Sequence, residues 1–265
     1  MTDIKLPLKK RNIIITRSKD QMSSAKEIFQ NAGATIFDLP ALIIDYPDNI
    51  KPLDNALEEL NNFQWIIFSS SNGIKFVENR LKSKGSSLKK YSKIIKIAVV
   101  GEKTSQYLNK IGLYANYIPP NFIAESLVKN FPSPIKGLTV FIPRVQTGGR
   151  SILSKDFIRA GAFVKEVAAY ESKCPNSIPH ETIKAIKNHH IDAILFSSGK
   201  TVKNTAFLLQ KYFGQEFDLF LDEIKLFSIG PQTSIECKQT FGRVDMQANK
   251  YTFEGLLEAT INYFN

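Results

Sequence analysis

The second half of this chain repeats the first at an offset of about 128 residues, and nothing else in the sequence constrains the fold as strongly. Trp65-Ile-Ile-Phe-Ser-Ser-Ser-Asn-Gly73 returns as Ala193-Ile-Leu-Phe-Ser-Ser-Gly-Lys200. Ala98-Val-Val-Gly-Glu-Lys-Thr104 returns as Phe227-Ser-Ile-Gly-Pro-Gln-Thr233, and Phe122-Ile-Ala-Glu-Ser-Leu127 as Tyr251-Thr-Phe-Glu-Gly-Leu256. Spacing is kept as well: Gly101 stands 24 residues before Glu125, and Gly230 stands 24 before Glu254. Arg17 follows a β-branched run and precedes Ala32-Gly-Ala34; Arg144 follows another and precedes Ala160-Gly-Ala162. A period this long does not suit a solenoid. It suits two similar lobes with a pseudo-twofold cleft between them.

Short β-branched runs alternate with amphipathic segments of helical period, the pattern of an α/β fold with parallel sheets. Strands are expected at 13–16, 35–37, 65–68, 97–100, 116–118, 139–142, 163–167, 193–196, 226–229 and 244–247. Helices are expected at 21–32, 73–81, 104–111, 123–131, 151–160, 201–212, 232–241 and 253–263. Roughly five βα units per lobe is the size of a flavodoxin-like domain. Two links, 38–47 and 167–175, are extended by composition and each carries a proline. Two partitions fit. The halves are sequential domains cut near Pro132-Ser-Pro134, or the chain crosses to a second lobe at the first link and returns at the second.

With 265 residues the chain can bury one large core or two ordinary ones. No apolar run approaches the roughly 18 residues needed to span a bilayer, and the lysine-bearing N-terminus lacks the apolar stretch of a secretory signal. Cys174 and Cys237 are the only cysteines, which implies no disulfide framework and makes a reducing cytoplasm the simplest compartment. His180, His189 and His190 do not pair with cysteine at metal-ligand spacing, so no metal is expected. The formal charge of +10 is compatible with nucleic acid, an anionic membrane surface or a polyanionic small molecule. A solvated lysine-rich surface accounts for most of it, and no aromatic-interleaved basic motif of the RNA-recognition kind is present.

Each repeat carries two strand-to-helix turns of small polar residues. Ser69 and Ser70 lie in one and Ser197 and Ser198 in its counterpart; Gly101 and Thr104 lie in another, matched by Gly230, Gln232 and Thr233. At such a turn, backbone N–H groups and hydroxyls open outward at a helix N-terminus, a ready anion site. Open α/β sheets take ligands at these carboxyl ends. A single such turn reads as ordinary capping; four at matched spacing argue for binding. Arg17 and Arg144 end equivalent strands, where a guanidinium can grip a carboxylate with two bonds or simply meet solvent. Lys225 opens a strand. Tyr170 lies in the second link, as a strand aromatic or as a proton donor. The sequence contains no Gly-x-Ser-x-Gly elbow, Walker A or Gly-x-Gly-x-x-Gly after the first strand. Any chemistry must then rest on positioning and electrostatics.

Taken together, these residues resemble the uroporphyrinogen-III synthase family of tetrapyrrole biosynthesis. The resemblance spans nearly the whole chain. It rests on Ile15-Thr-Arg17, Phe68-Ser-Ser70 with Gly73, Val100-Gly101 with Thr104, Ala124-Glu-Ser-Leu127, Pro143-Arg144 with Gly161-Ala162 and Tyr170, Phe196-Ser197, Ile229-Gly-Pro231 with Thr233, and Gly255-Leu256. Val145 and Gln232 depart from the glycine and threonine common at those places. The resemblance implies two flavodoxin-like lobes joined by a two-stranded linker, so it selects the crossover partition: residues 1–40 with 172–265 in lobe one, 41–171 in lobe two. It implies an enzyme without cofactor or metal, acting on hydroxymethylbilane, a linear tetrapyrrole with eight carboxylates. Such an enzyme removes the terminal hydroxyl, inverts the last pyrrole ring and closes the macrocycle as the type III isomer, on the route to heme. Tyr170 corresponds to the tyrosine proposed to assist hydroxyl departure. Arg17, Ser69, Ser70, Gly101, Thr104, Arg144, Ser197, Ser198, Lys225, Gly230, Gln232 and Thr233 become candidates for holding the substrate. The implied setting is a cytoplasmic monomer, with room for transient contact with the preceding pathway enzyme and no membrane or nucleic-acid partner. A two-lobed module that binds an anion and does no chemistry is the alternative, and nucleic-acid binding is a third reading.

Overall fold

The structure, a computed structural model, describes residues 6–17, 22–121, 124–147 and 152–265. Ten strands are found among them: β1 (Asn12–Ile15), β2 (Thr35–Asp38), β3 (Ile43–Asp45), β4 (Trp65–Phe68), β5 (Lys96–Val99), β6 (Thr139–Val145), β7 (Phe163–Lys173), β8 (Ala193–Phe196), β9 (Lys225–Ser228) and β10 (Met246–Gln247). They form two five-stranded sheets, ordered β10-β9-β8-β1-β2 and β3-β7-β6-β4-β5. The chain divides into two compact units, Met1–Ile43 with Lys173–Asn265, and Ile44–Ser172. Numbered in its own chain order, the first unit's sheet reads 2-1-3-4-5, the flavodoxin-like order.

Helices cover both faces of a parallel sheet, so its strands read as unbroken apolar runs. In the first unit Ile14, Ile194 and Phe196 enter one core cluster, while Ile13, Ile15, Ala193 and Leu195 enter the other. The second unit divides β4 the same way, Ile66 and Phe68 to one side, Trp65 and Ile67 to the other. Alternation of side chains across the pleat is enough to produce this sorting. The registers follow: Ile13 lies opposite Ile36 on one side and Ala193 on the other, and Trp65 opposite Lys96 and Val140. The expected helix at 21–32 is found as Met22–Asn31, with Ala25 and Phe29 buried and Gln21 outside the described residues.

The structure corrects several expected boundaries. The strand expected at 116–118 is a single bridge, Ala98 to Tyr117. Pro119 and Pro120 follow at once and have no N–H to extend the ladder. The strand expected at 163–167 runs on to Lys173, so the second link is the continuation of β7. The first link contributes β3, which lies beside β7. Short helices at Lys51–Glu58, His180–Lys187 and Phe217–Glu223 were not expected; each has eight residues or fewer, and in the first Leu53, Ala56 and Leu57 still fall at helical spacing.

Asp54 ties the first of these short helices to the helix Ser71–Ser83. Its two oxygens accept from Arg80 Nε and Nη2 at 2.7 and 2.6 Å. The Arg80 hydrogen bonds, outweighing the opposing effect of burial, hold the Asp54 carboxyl below its ordinary value. A carboxyl depressed in the folded state stabilises it above the unfolded-state pKa of about 4, and that stability is lost as pH falls through the folded value. Asp54→Asn is therefore expected to lower stability to urea at pH 7, with the gap from the parent protein closing in acid below about pH 4. A gap that stays constant with pH would mean that the pair contributes through packing alone.

Candidate active site

In the first unit, the turns that leave the carboxyl edge of the sheet converge. Arg17 stands just beyond β1, Ser197 and Ser198 just beyond β8, and Ile229-Gly230 just beyond β9. A cavity of about 380 Å³ lies there, with Arg17, Ser197, Ser198, Thr201, Tyr251, Thr252 and Phe253 in its lining. Ser198 caps the helix Gly199–Phe213 through a capping box. Its hydroxyl accepts from Thr201 N at 3.3 Å, and the Thr201 hydroxyl accepts from Ser198 N at 3.3 Å. Thr252 caps the helix Phe253–Phe264 by accepting from Gly255 N at 3.1 Å. Two helix N-termini thus open on one cavity, each with a partial positive charge and unsatisfied N–H groups. Arg17 adds a full charge, its guanidinium 4.4 Å from the centre of the Phe253 ring. Burial lowers the Arg17 pKa from its usual value, which still leaves the group charged near neutrality.

The turn at 250–253 owes its place to two glycines. A Cβ on Gly230 would stand 3.1 Å from the Tyr251 ring, and one on Gly255 would stand 2.2 Å from the Lys250 carbonyl oxygen. Gly230 precedes the helix Pro231–Phe241, in which Gln232 is exposed and Thr233 is buried. Beneath that turn, Ser228 and Ser234 share a hydrogen bond of 2.6 Å and Ser234 donates to Gln247 at 2.7 Å. This chain, buried at its two serines and ending on the exposed Gln247, fixes how the turn leaves β9.

In the second unit, Ser70 caps the helix Ser71–Ser83, accepting from Gly73 N at 3.1 Å. The same Ser70 oxygen lies 2.7 Å from the Tyr170 hydroxyl. Tyr170 is buried, with its ring stacked on Phe76 at 5.9 Å between centroids. Ser69 is exposed. Gly101 takes φ 96°, in the left-handed region that favours glycine, at the start of the helix Glu102–Lys110, and Thr104 is buried in its first turn. The guanidinium of Arg144 is committed within the protein. It pairs with Glu166 on the neighbouring strand and donates to the Val145 and Gln146 carbonyls at 2.8 and 3.1 Å. These bonds brace the bulge after Arg144 that sets Val145 opposite Tyr170.

The structure therefore gathers Arg17, Ser197 and Ser198 around one cavity, and joins Ser70 to Tyr170. It does not bring Lys225 to either place. Lys225 is the first residue of β9 and pairs with Ala193, the first of β8, at the amino edge of the sheet. Three residues of rise, about 3.3 Å each, separate it from the edge where the turns open. Thr201, Tyr251, Thr252 and Phe253 were not singled out in the sequence. The signals were present: a Thr-x-x-Gly cap, and the repeated segment that begins at Tyr251. Phe122 and Ile123, in the first copy of that segment, lie outside the described residues. Among the described residues, no group of three or more His, Cys, Asp or Glu is placed to hold a metal ion, and no helix is long and apolar enough to cross a membrane.

Ser198→Ala removes one half of the capping box. It is expected to cost about 1 kcal/mol of stability. Denaturant titration checks this, and an unchanged midpoint would show that water replaces the cap at no cost.

Fold and cavity together define an α/β protein that presents anion-ready turns at the carboxyl edges of its parallel sheets. The family model described as uroporphyrinogen-III synthase HemD matches residues 23–258. A uroporphyrinogen-III synthase from Synechococcus elongatus is 41% identical over 254 residues, covering 96% of this chain and 95% of the relative. Among solved structures, a uroporphyrinogen-III synthetase from Helicobacter pylori superposes with a TM-score of 0.56 at 19% identity, over 96% of this chain and 99% of that one. A mutant uroporphyrinogen III synthase from the extremely thermophilic bacterium Thermus thermophilus superposes with a TM-score of 0.52 at 13% identity, over 95% of this chain and 98% of that one. These two likenesses concern the fold. The chain belongs to the uroporphyrinogen-III synthase family, whose enzymes are cyclising lyases acting on hydroxymethylbilane.

Proposed function

We propose that this chain cyclises and dehydrates hydroxymethylbilane with inversion of the last pyrrole ring, giving uroporphyrinogen III for heme and related tetrapyrroles. The family match over residues 23–258 is the observation that carries this reading. The site residues supply the means. The Arg17 cavity offers one cation, two capped helix N-termini and the Ser197, Ser198 and Thr252 hydroxyls. That set suits a carboxylate, which accepts hydrogen bonds and cannot donate them when ionised. Ser69, Ser70, Gly101 and Thr104 stand at equivalent turns of the second unit and take further carboxylates in this reading. Tyr170 assists departure of the terminal hydroxyl by giving its phenolic proton, with Ser70 as its hydrogen-bond partner. The two compact units are the lobes of an internal duplication, supported by the matched sequence segments and the similar splitting of β-strand side chains between two clusters. The two free cysteines fit a reducing cytoplasm, in which the protein works as a monomer and receives the bilane from the preceding pathway enzyme.

The test is to mix the protein with hydroxymethylbilane, oxidise the product and resolve the isomers. Type III product in excess of the type I isomer that forms without help supports the proposal. Saturable binding with only type I product would identify a binding module that does no chemistry.

A further inference from the structure

Phe253 opens the helix Phe253–Phe264 and is half-buried, packed against the cluster that holds Ile13, Ile15 and Phe29. The Arg17 guanidinium lies over its ring, 4.4 Å from the centroid. Both side chains belong to the wall of the same cavity, beside Ser198 and Thr252. An arginine has many rotamers in solution, and holding one of them costs entropy at the moment of binding. A ring face beneath a guanidinium attracts the cation through its plane, without using the N–H groups at its edge. The ring is itself held, because the turn that precedes it is pressed against Gly255 and Gly230.

We infer that Phe253 is a positioning residue: its ring is the platform that presents Arg17 to one carboxylate of the substrate, so that it sets affinity while touching none of the reacting atoms. This rests on the reading that the cavity takes a substrate carboxylate. A platform of this kind acts through Arg17 alone, so its effect must vanish when Arg17 is gone.

The experiment is a double-mutant cycle read by steady-state kinetics with hydroxymethylbilane, on Arg17→Gln, Phe253→Leu and the pair. Arg17→Gln is expected to raise KM about tenfold or more, as for loss of a charged hydrogen bond. Phe253→Leu should raise KM about fivefold with kcat within about twofold, the range of a half-exposed cation–π contact. The pair should be no worse than Arg17→Gln, and Phe253→Trp should retain the parent KM. In the parent protein, Arg17 side-chain protons should show upfield ring-current shifts by NMR, a readout that remains even if Phe253→Leu fails to fold. Additive effects in the cycle, or Arg17 protons without ring-current shifts, overturn the inference and leave the cavity reading standing. So does a Phe253→Leu protein with parent KM beside an impaired Arg17→Gln. An Arg17→Gln protein with parent KM overturns the cavity reading itself, and the inference with it.

Discussion

Tyr170→Phe is expected to slow turnover about a hundredfold while the product remains the type III isomer. General-acid assistance is worth about 10² to 10⁴ in rate. The lower end applies because loss of hydroxide forms a reactive azafulvene with little help. The substitution keeps the ring, its stacking on Phe76 and its place in β7, and removes only the hydroxyl that meets Ser70 at 2.7 Å. Losing that hydrogen bond costs about 1 kcal/mol, or roughly 2–4 °C in melting temperature for a chain of this size. The isomer should persist because ring inversion depends on the shape around the last pyrrole, which phenylalanine preserves. Turnover at the parent rate would make Tyr170 a strand residue with no part in the chemistry. Mainly type I product would make it the residue that positions the last ring.

Gly255→Ala is expected to produce the largest loss of stability of any methyl-sized change near the cavity. The new Cβ would stand 2.2 Å from the Lys250 carbonyl oxygen and 2.9 Å from its carbonyl carbon. The obstacle is backbone, so the turn at 250–253 must move as a unit. Overpacking costs about 1–3 kcal/mol, and the upper end applies where no side chain can swing away. The same movement would carry Tyr251, Thr252 and Phe253 off the cavity wall, so KM should rise together with the loss of melting temperature. Gly199→Ala is the contrast, since its nearest obstacles, the Glu236 Cβ and Cγ, stand at 3.3 Å and need give only slightly. Differential scanning calorimetry and KM on both proteins check the pair. A Gly255→Ala protein that melts with the parent and keeps its KM would show that the turn does not lie against Gly255.

The fold was legible where one strand's chemistry is local. Ile13, Ile14 and Ile15 announce a strand buried on both faces, and the small polar turns after β4 and β8 announce the helices they cap. What failed divides between signals overlooked in the local window and partners outside it. Asn116–Ile118 looked like a strand in isolation, yet Pro119 and Pro120 stop its pairing. The short helix Lys51–Glu58 carries Leu53, Ala56 and Leu57 at helical spacing, while its tie from Asp54 to Arg80 lies outside the window. The site divides the same way. Ser70 and Ser198 were recognised because a cap is a local pattern. The commitment of Arg144 to Glu166 was not, because a side chain's partner depends on strands far away in sequence.

The sequence by itself determined the α/β class, the repeated turns that could receive anions, and the family resemblance, because each is a matter of residue type and spacing. Only the tertiary structure decided which residues meet. Thr252 and Phe253 join Arg17 because the turn before them nests against two glycines, Gly255 nearby in the chain and Gly230 a whole helix earlier. Tyr170 finds Ser70, 100 residues earlier in the chain, because β7 runs past its expected end and a bulge sets its register against β6. Contacts between distant segments form only once the sheets fix their register, and no short window of sequence contains that information.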